Sequence, residues 1–367
     1  MPHLIALALP GGPDFVAELQ RAWDAGDAVL PVDLRLPGPA REELFEQLRP
    51  ASVVEPAGRT ELPDARSVEP GDALVMATSG TTGRPKGVVL THESVEASAR
   101  ATSAALAVDP AADHWLACLP LAHVGGLSVV TRALHTDTPL TVLPYFDADA
   151  VARSPATLTS LVVATLGRVD PTTFRRILLG GSAIPADRPA NCVATYGLTE
   201  TGSGVVYDGY PLAGVELRVD DGEVLVRAPM LLRAYRGPET DTDPRTADGW
   251  FATGDAGELA TDGRLSVFGR RGDLIVTGGE NVWPAAVEQA LRTHPSVAEV
   301  AVIGRADPDW GHAVTALVVA NPGPTPTLDA LRVHVKRTLP TYCAPKALEL
   351  VGALPRTALG KVRRTDL

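Results

Sequence analysis

The run Thr78-Ser79-Gly80-Thr81-Thr82-Gly83-Arg84-Pro85-Lys86-Gly87-Val88 gathers four hydroxyls, three glycines and one lysine before it resumes an apolar pattern. Backbone N–H groups left open by glycine, hydroxyl donors and an ammonium together make a cradle for phosphate oxygens. It is not a Walker loop: Pro85 rather than glycine precedes Lys86, and no serine or threonine follows it. A glycine–threonine surface loop has the same composition, so the run alone does not decide. Lysine is scarce, with only Lys86, Lys336, Lys346 and Lys361 in the chain. Where arginine is the default cation, a retained lysine points to a need for a compact charge.

The elements that must position such a loop follow from periodicity. Ala73-Leu74-Val75-Met76-Ala77 reads as a buried strand running into it. Ile177-Leu178-Leu179 runs into Gly180-Gly181-Ser182-Ala183. Cys192-Val193-Ala194 runs into Thr195-Tyr196-Gly197-Leu198-Thr199-Glu200. Ligand crevices in open α/β sheets form beyond the carboxyl ends of strands, so these three loops are candidates to share one. Residues 213–268 alternate apolar and polar residues between tight Gly/Asp turns, the pattern of a small antiparallel subdomain. From 274 onward the pattern renews: a strand near 274–277, a helix near 284–294, strands near 298–303 and 313–319, and a helix near 328–338. The expected fold is α/β: a large N-terminal domain over 1–269 with layered sheets, a linker at 270–273, and a small α+β domain over 274–367. Arg41 to Leu48 reads as a surface helix and 55–72 as a connecting loop.

A chain of 367 residues exceeds the size at which one core stops growing, which agrees with two domains. A net charge of −11 argues against nucleic acid as a partner. Met1 to Pro10 lacks a charged n-region and reads as a strand, not a signal peptide. No apolar run reaches membrane-spanning length. Cys118, Cys192 and Cys343 show no metal-ligand spacing and read as reduced cytosolic thiols.

Six ordered segments then carry a resemblance. They are the threonine loop; Leu119-Pro120-Leu121-Ala122-His123-Val124-Gly125-Gly126-Leu127; Tyr196-Gly197-Leu198-Thr199-Glu200-Thr201; and Thr253-Gly254-Asp255. The fifth is Gly269-Arg270 with Gly278-Gly279-Glu280-Asn281 and Pro284. The sixth is Pro355-Arg356-Thr357-Ala358-Leu359-Gly360-Lys361. Covering residues 78 to 364, they resemble the adenylate-forming superfamily of acyl-CoA synthetases, peptide-synthetase adenylation domains and luciferases. The resemblance implies an ATP-dependent acid–thiol ligase. A carboxylate attacks the α-phosphorus of ATP to give acyl-AMP and pyrophosphate, and the thiol of coenzyme A then displaces AMP.

The resemblance also implies roles. Thr78, Ser79, Gly80, Thr81, Thr82 and Lys86 would meet the phosphates. Gly180, Gly181, Ser182, Ala183, Tyr196 and Gly197 would form the adenine wall, with Asp255 and Arg270 on the ribose. Thr199 would donate to the α-phosphate. Glu200, a single hard oxygen ligand that leaves positions for phosphates and water, would hold Mg²⁺. Lys361 would bridge the α-phosphate and the attacking carboxylate. His123 would gate between acyl and thiol tunnels, although a satisfied core histidine has the same setting. Gly278, Gly279, Glu280 and Asn281 would face the thiol after the small domain rotates about Gly272 and Asp273.

Only 77 residues precede the phosphate loop, short for this superfamily. That compactness, with Pro-Leu-Ala-His-Val-Gly-Gly-Leu-Ser and Leu-Leu-Gly-Gly-Ser-Ala-Ile-Pro, is most similar to the short o-succinylbenzoate–CoA ligases of menaquinone biosynthesis. Such a substrate has a second carboxylate that needs a buried cation. Arg168, in Val163-Ala164-Thr165-Leu166-Gly167-Arg168 following a buried strand, is the expected partner, Arg132 the runner-up, with Ser203 and Gly126 beside the acyl group. Three rivals share most of the motifs: a ligase for another aryl or short aliphatic acid, an adenylation enzyme loading a carrier protein, and a non-catalytic nucleotide-binding protein. Homodimers are common among relatives, and the residues carry no signal on that point.

Overall fold

The computed structural model describes residues 1–79, 84–182, 184–356 and 362–367. It divides into two compact units. The first comprises Met1–Arg218, Leu225–Ala252 and Ala260–Leu265; the second comprises Val219–Val224, Thr253–Leu259 and Ser266–Leu367. The expected linker 270–273 thus belongs to the second unit, within its last segment.

Two sheets organise the first unit. One has eight strands in the order 241–242, 234–236, 85–91, 72–79, 28–31, 4–7, 52–55 and 58–61. The apolar strands Leu4–Leu7 and Ala28–Pro31 are fully buried and pair in parallel, and parallel strands are covered on both faces. The phosphate-loop strand Asp72–Ser79 pairs antiparallel with Pro85–Thr91, from Asp72 opposite Thr91 to Ser79 opposite Pro85, with a register shift between Asp72 and Leu74. The second sheet has seven strands in the order 210–211, 203–207, 192–198, 176–180, 158–162, 115–117 and 140–142. Helices His92–Ala105 and Val124–His135 pack on each other. The first also lies against strands 72–79 and 85–91, the second against 115–117 and 158–162.

A four-stranded sheet of Glu216–Asp220, Glu223–Arg227, Phe251–Leu259 and Leu265–Arg270 corresponds to the expected small β subdomain. The same stretch departs from expectation at Ala234–Arg236, which leaves this sheet and pairs with Pro85–Thr91. In the second unit, Ile275–Thr277, Pro284–Arg292, Val297–Asp307, Gly311–Ala320 and Leu328–Val335 realise the expected elements. Their core is Val287, Leu291, Val300, Val302, Val314, Val318, Leu331 and Val335, all buried. Cys118, Cys192 and Cys343 are buried free thiols. Among the described residues no helix is long and apolar enough to cross a membrane.

Candidate active site

Parallel register brings the expected loops together. Leu179 lies between Leu161 and Ala194 on three adjacent parallel strands, and Gly180 sits opposite Val162. The segments after Val162, after Gly180 and at Thr199–Thr201 therefore emerge from the same edge of one sheet, where a crevice is expected. Strand Cys192–Leu198 carries Tyr196 and Gly197 and bulges between them, which re-aims the residues that follow. The turn Thr199–Thr201 is tied down by Thr201, whose Oγ1 accepts from Leu198 N at 2.8 Å and donates to Ser203 O at 2.6 Å.

Glu200 Oε1 accepts a 2.8 Å hydrogen bond from the Tyr235 hydroxyl. The Lys86 ammonium sits over the same ring, 3.5 Å from its centroid. Tyr235 had no motif to mark it. Thr78 Oγ1 lies 3.4 Å from Lys86 O across the hairpin. Gly80, Thr81, Thr82, Ala183 and Lys361 lie outside the described residues. The donor chemistry fits magnesium. Glu200 offers hard oxygen beside the Thr199 hydroxyl. Among the described residues no group of three His, Cys, Asp or Glu could cage an ion alone. A cation that retains waters and phosphate ligands needs no such cage.

His123 starts helix Val124–His135 at its N-cap. Its Nε2 lies 3.1 Å from Arg35 Nη2 and 3.6 Å from Asp33 Oδ2. Arg35 is itself bidentate to Asp33, at 2.9 and 2.8 Å. Burial opposes ionisation of Asp33, but His123 and Arg35 outweigh it and hold the carboxyl far below its usual range. Sequence reading missed this pair. The available signal was the apolar run Ala28-Val29-Leu30-Pro31-Val32, which ends in a polar loop as the other strands do.

The arginines reverse expectation. Arg168 is exposed, with its guanidinium 4.8 Å over the Phe146 ring, so the buried setting expected for it is absent. Arg132 is 2% exposed. Its Nη1 donates to Ser160 Oγ at 3.3 Å, Nη2 donates to Ser203 Oγ, and Nε has no hydrogen-bond partner among the described residues. It makes no ion pair among the described residues, and burial pulls its pKa down, opposed by Tyr207. Gly126 is set by packing: a Cβ there would lie 2.4 Å from Pro120 O and 2.6 Å from Leu119 O.

In the second unit Thr253 Oγ1 donates to Val224 O at 2.7 Å and accepts from Asp255 N at 3.1 Å. This fixes Asp255, 6% exposed, against Arg270, whose Nε is 3.1 Å from Asp255 Oδ1 and whose Nη1 donates to Thr253 O at 2.7 Å. Arg271 pairs with Asp221 and Glu223, and Asp273 with Arg364, on either side of Gly272. Gly278, at φ 60°, lies under the Trp310 ring, 2.6 Å from where a Cβ would stand. Glu280 and Asn281 follow on an exposed strand.

Family comparison gives the class of protein to which these segments belong. A model of AMP-binding enzymes matches residues 54–236, and one of the AMP-binding enzyme C-terminal domain matches 286–361. The chain belongs to this adenylate-forming family of AMP-binding enzymes. It is 39% identical over 363 residues to a probable 2-succinylbenzoate–CoA ligase of Mycobacterium tuberculosis, covering 90% of this chain and 93% of that one. It resembles the solved O-succinylbenzoate coenzyme A synthetase of Bacillus subtilis in complex with AMP. There the TM-score is 0.88 at 27% identity, over 100% of this chain and 88% of that one. The same Bacillus enzyme in complex with ATP and magnesium gives a TM-score of 0.87 at 27% identity, over 100% and 89%.

Proposed function

We propose that this protein is an o-succinylbenzoate–CoA ligase, which forms o-succinylbenzoyl-AMP from ATP and passes the acyl group to coenzyme A. The observation that carries the substrate is Arg132. A guanidinium buried without an anion is costly, and a substrate carboxylate would supply the missing charge. The two serine hydroxyls on its Nη atoms keep it aimed while Nε stays available. Arg132 replaces Arg168 in this role, and Ser203 is the adjoining hydroxyl.

In the first half-reaction a carboxylate oxygen bonds to the α-phosphorus as the bond to pyrophosphate breaks. Both partners are anionic, so neutralisation at the phosphates dominates the barrier. Thr78, Ser79, Gly80, Thr81, Thr82 and Lys86 bind the departing phosphates, Thr199 donates to the α-phosphate, and Lys361 bridges it to the carboxylate. Glu200 would hold Mg²⁺, which offsets phosphate charge when bound. Gly180 to Ala183 with Tyr196 and Gly197 hold the base, and Asp255 with Arg270 the ribose. In the second half-reaction the sulfur attacks the acyl carbon, the bond to AMP breaks and the thiol proton leaves. His123, held by Arg35, borders that path, and Gly278 to Asn281 meet the thiol after a turn about Gly272 and Asp273.

Pyrophosphate release measured across a panel of acids tests the reading. o-Succinylbenzoate should be preferred at least tenfold in kcat/KM over benzoate, which lacks the second carboxylate. Equal use of the two, or activity confined to long-chain acids, rejects it.

A further inference from the structure

We propose that Tyr235 is a positioning residue for adenylation, holding the metal-binding carboxylate of Glu200 and the phosphate-side ammonium of Lys86 in fixed relation to each other. The inference rests on the reading of Glu200 and Lys86 given above. Three chain segments far apart in sequence meet at this ring. Strand Ala234–Arg236 pairs antiparallel with Pro85–Thr91, with Tyr235 opposite Val88. Lys86 precedes Val88 by two, so both point to the same face of their strand, the face on which Tyr235 stands. The ammonium lies 3.5 Å from the ring centroid, within cation–π range. From the far end of the ring the hydroxyl donates to Glu200 Oε1 at 2.8 Å. The backbone repeats the link three residues earlier, where Leu232 N donates to Glu200 O at 2.8 Å.

The ring suits both charges at once. Its π face is negative and receives the cation, while the hydroxyl proton is positive and receives the anion. With one lone pair of Oε1 engaged, the carboxylate keeps its rotamer, and its remaining lone pairs stay open to a hard cation. A carboxylate ligand oriented by an outer hydrogen bond binds metal more tightly than a loose one. Tyr235 thereby couples the loop that receives the outgoing phosphates to the residue that receives their metal.

Tyr235→Phe isolates the hydroxyl, because the ring stays under Lys86. The variant should raise the Mg²⁺ concentration for half-maximal pyrophosphate release about tenfold and weaken MgATP binding by calorimetry to a similar degree. Binding of ATP without magnesium should stay within twofold of wild type, as should thiolysis of preformed o-succinylbenzoyl-AMP. Tyr235→Leu, which also removes the ring, should weaken metal-free ATP binding in addition. Wild-type magnesium dependence and MgATP affinity in Tyr235→Phe overturn the proposal. So do equal losses with and without magnesium, which mark a general disturbance of the fold. In a Glu200→Gln background the Tyr235→Phe effect on MgATP binding should vanish, and additive losses refute the coupling. The binding arms need no acid substrate. A wild-type enzyme that binds MgATP but ignores o-succinylbenzoate therefore rejects the functional reading and leaves this test intact.

Discussion

Arg132 shows how a side chain acquires a role from what surrounds it. Ser128, Thr131, Arg132 and His135 lie at helical spacing, and a polar stripe of that kind ordinarily faces water. Here Ser128 and Thr131 are each 4% exposed and Arg132 2%, because helix Val124–His135 is covered on several sides. The motif residues were legible one by one, whereas Arg132 ranked below Arg168 because periodicity does not report what packs on the polar side. Arg132→Leu should raise KM for o-succinylbenzoate at least tenfold, about 1.4 kcal/mol, with little change for benzoate. Arg168→Leu should leave both within twofold; the opposite ranking in steady-state kinetics returns the role to Arg168. Asp33 gives a pH signature. Its carboxyl is held below an unfolded value of about 3.9, so its stabilisation is complete above that pH and is lost as pH falls through the folded value. Asp33→Asn should cost about 1 kcal/mol at pH 7. In thermal unfolding the gap to wild type should begin to narrow below about pH 4 and keep narrowing as pH falls further, and a gap that stays constant down to about pH 2 contradicts this.

Elements were legible where local pattern suffices. The C-terminal strands and helices fall close to their expected positions because their apolar periodicity matches a single core. Strands that exist only through distant pairing were missed. Ala234–Arg236 has no alternation of its own and is a strand because Pro85–Thr91 offers it an edge. Gly58–Glu61, wholly exposed, is held by pairing with Ser52–Glu55 and hid inside an expected loop. The first turn of helix Val124–His135 depends on close approach of Gly126 to the carbonyls of Leu119 and Pro120. Gly126→Ala should destabilise the protein by about 2 kcal/mol through overpacking. Because this helix carries Arg132, KM for o-succinylbenzoate should rise as well. Unchanged chemical denaturation would show that the turn shifts without cost.

At the scale of the molecule, the residues proposed for the reaction divide between two compact units. The first holds Glu200, Lys86 and Arg132; the second holds Asp255, Arg270 and the Gly278–Asn281 loop. Order along the chain made the family legible before any coordinate, whereas the unit boundary was not, since segments 219–224 and 253–259 join the second unit through non-local pairing. Lys361→Ala should abolish pyrophosphate release yet leave thiolysis of supplied o-succinylbenzoyl-AMP within a few-fold of wild type. Equal loss of both would place Lys361 outside the adenylation step. The central claim is the identity of the reaction. Its most direct test is mass-spectrometric detection of product from purified protein with o-succinylbenzoate, MgATP and coenzyme A. The account predicts o-succinylbenzoyl-CoA with one AMP and one pyrophosphate per acyl group, and none of the thioester when ATP is omitted. Absence of that thioester, or AMP formed at the same rate without the acid, would contradict it.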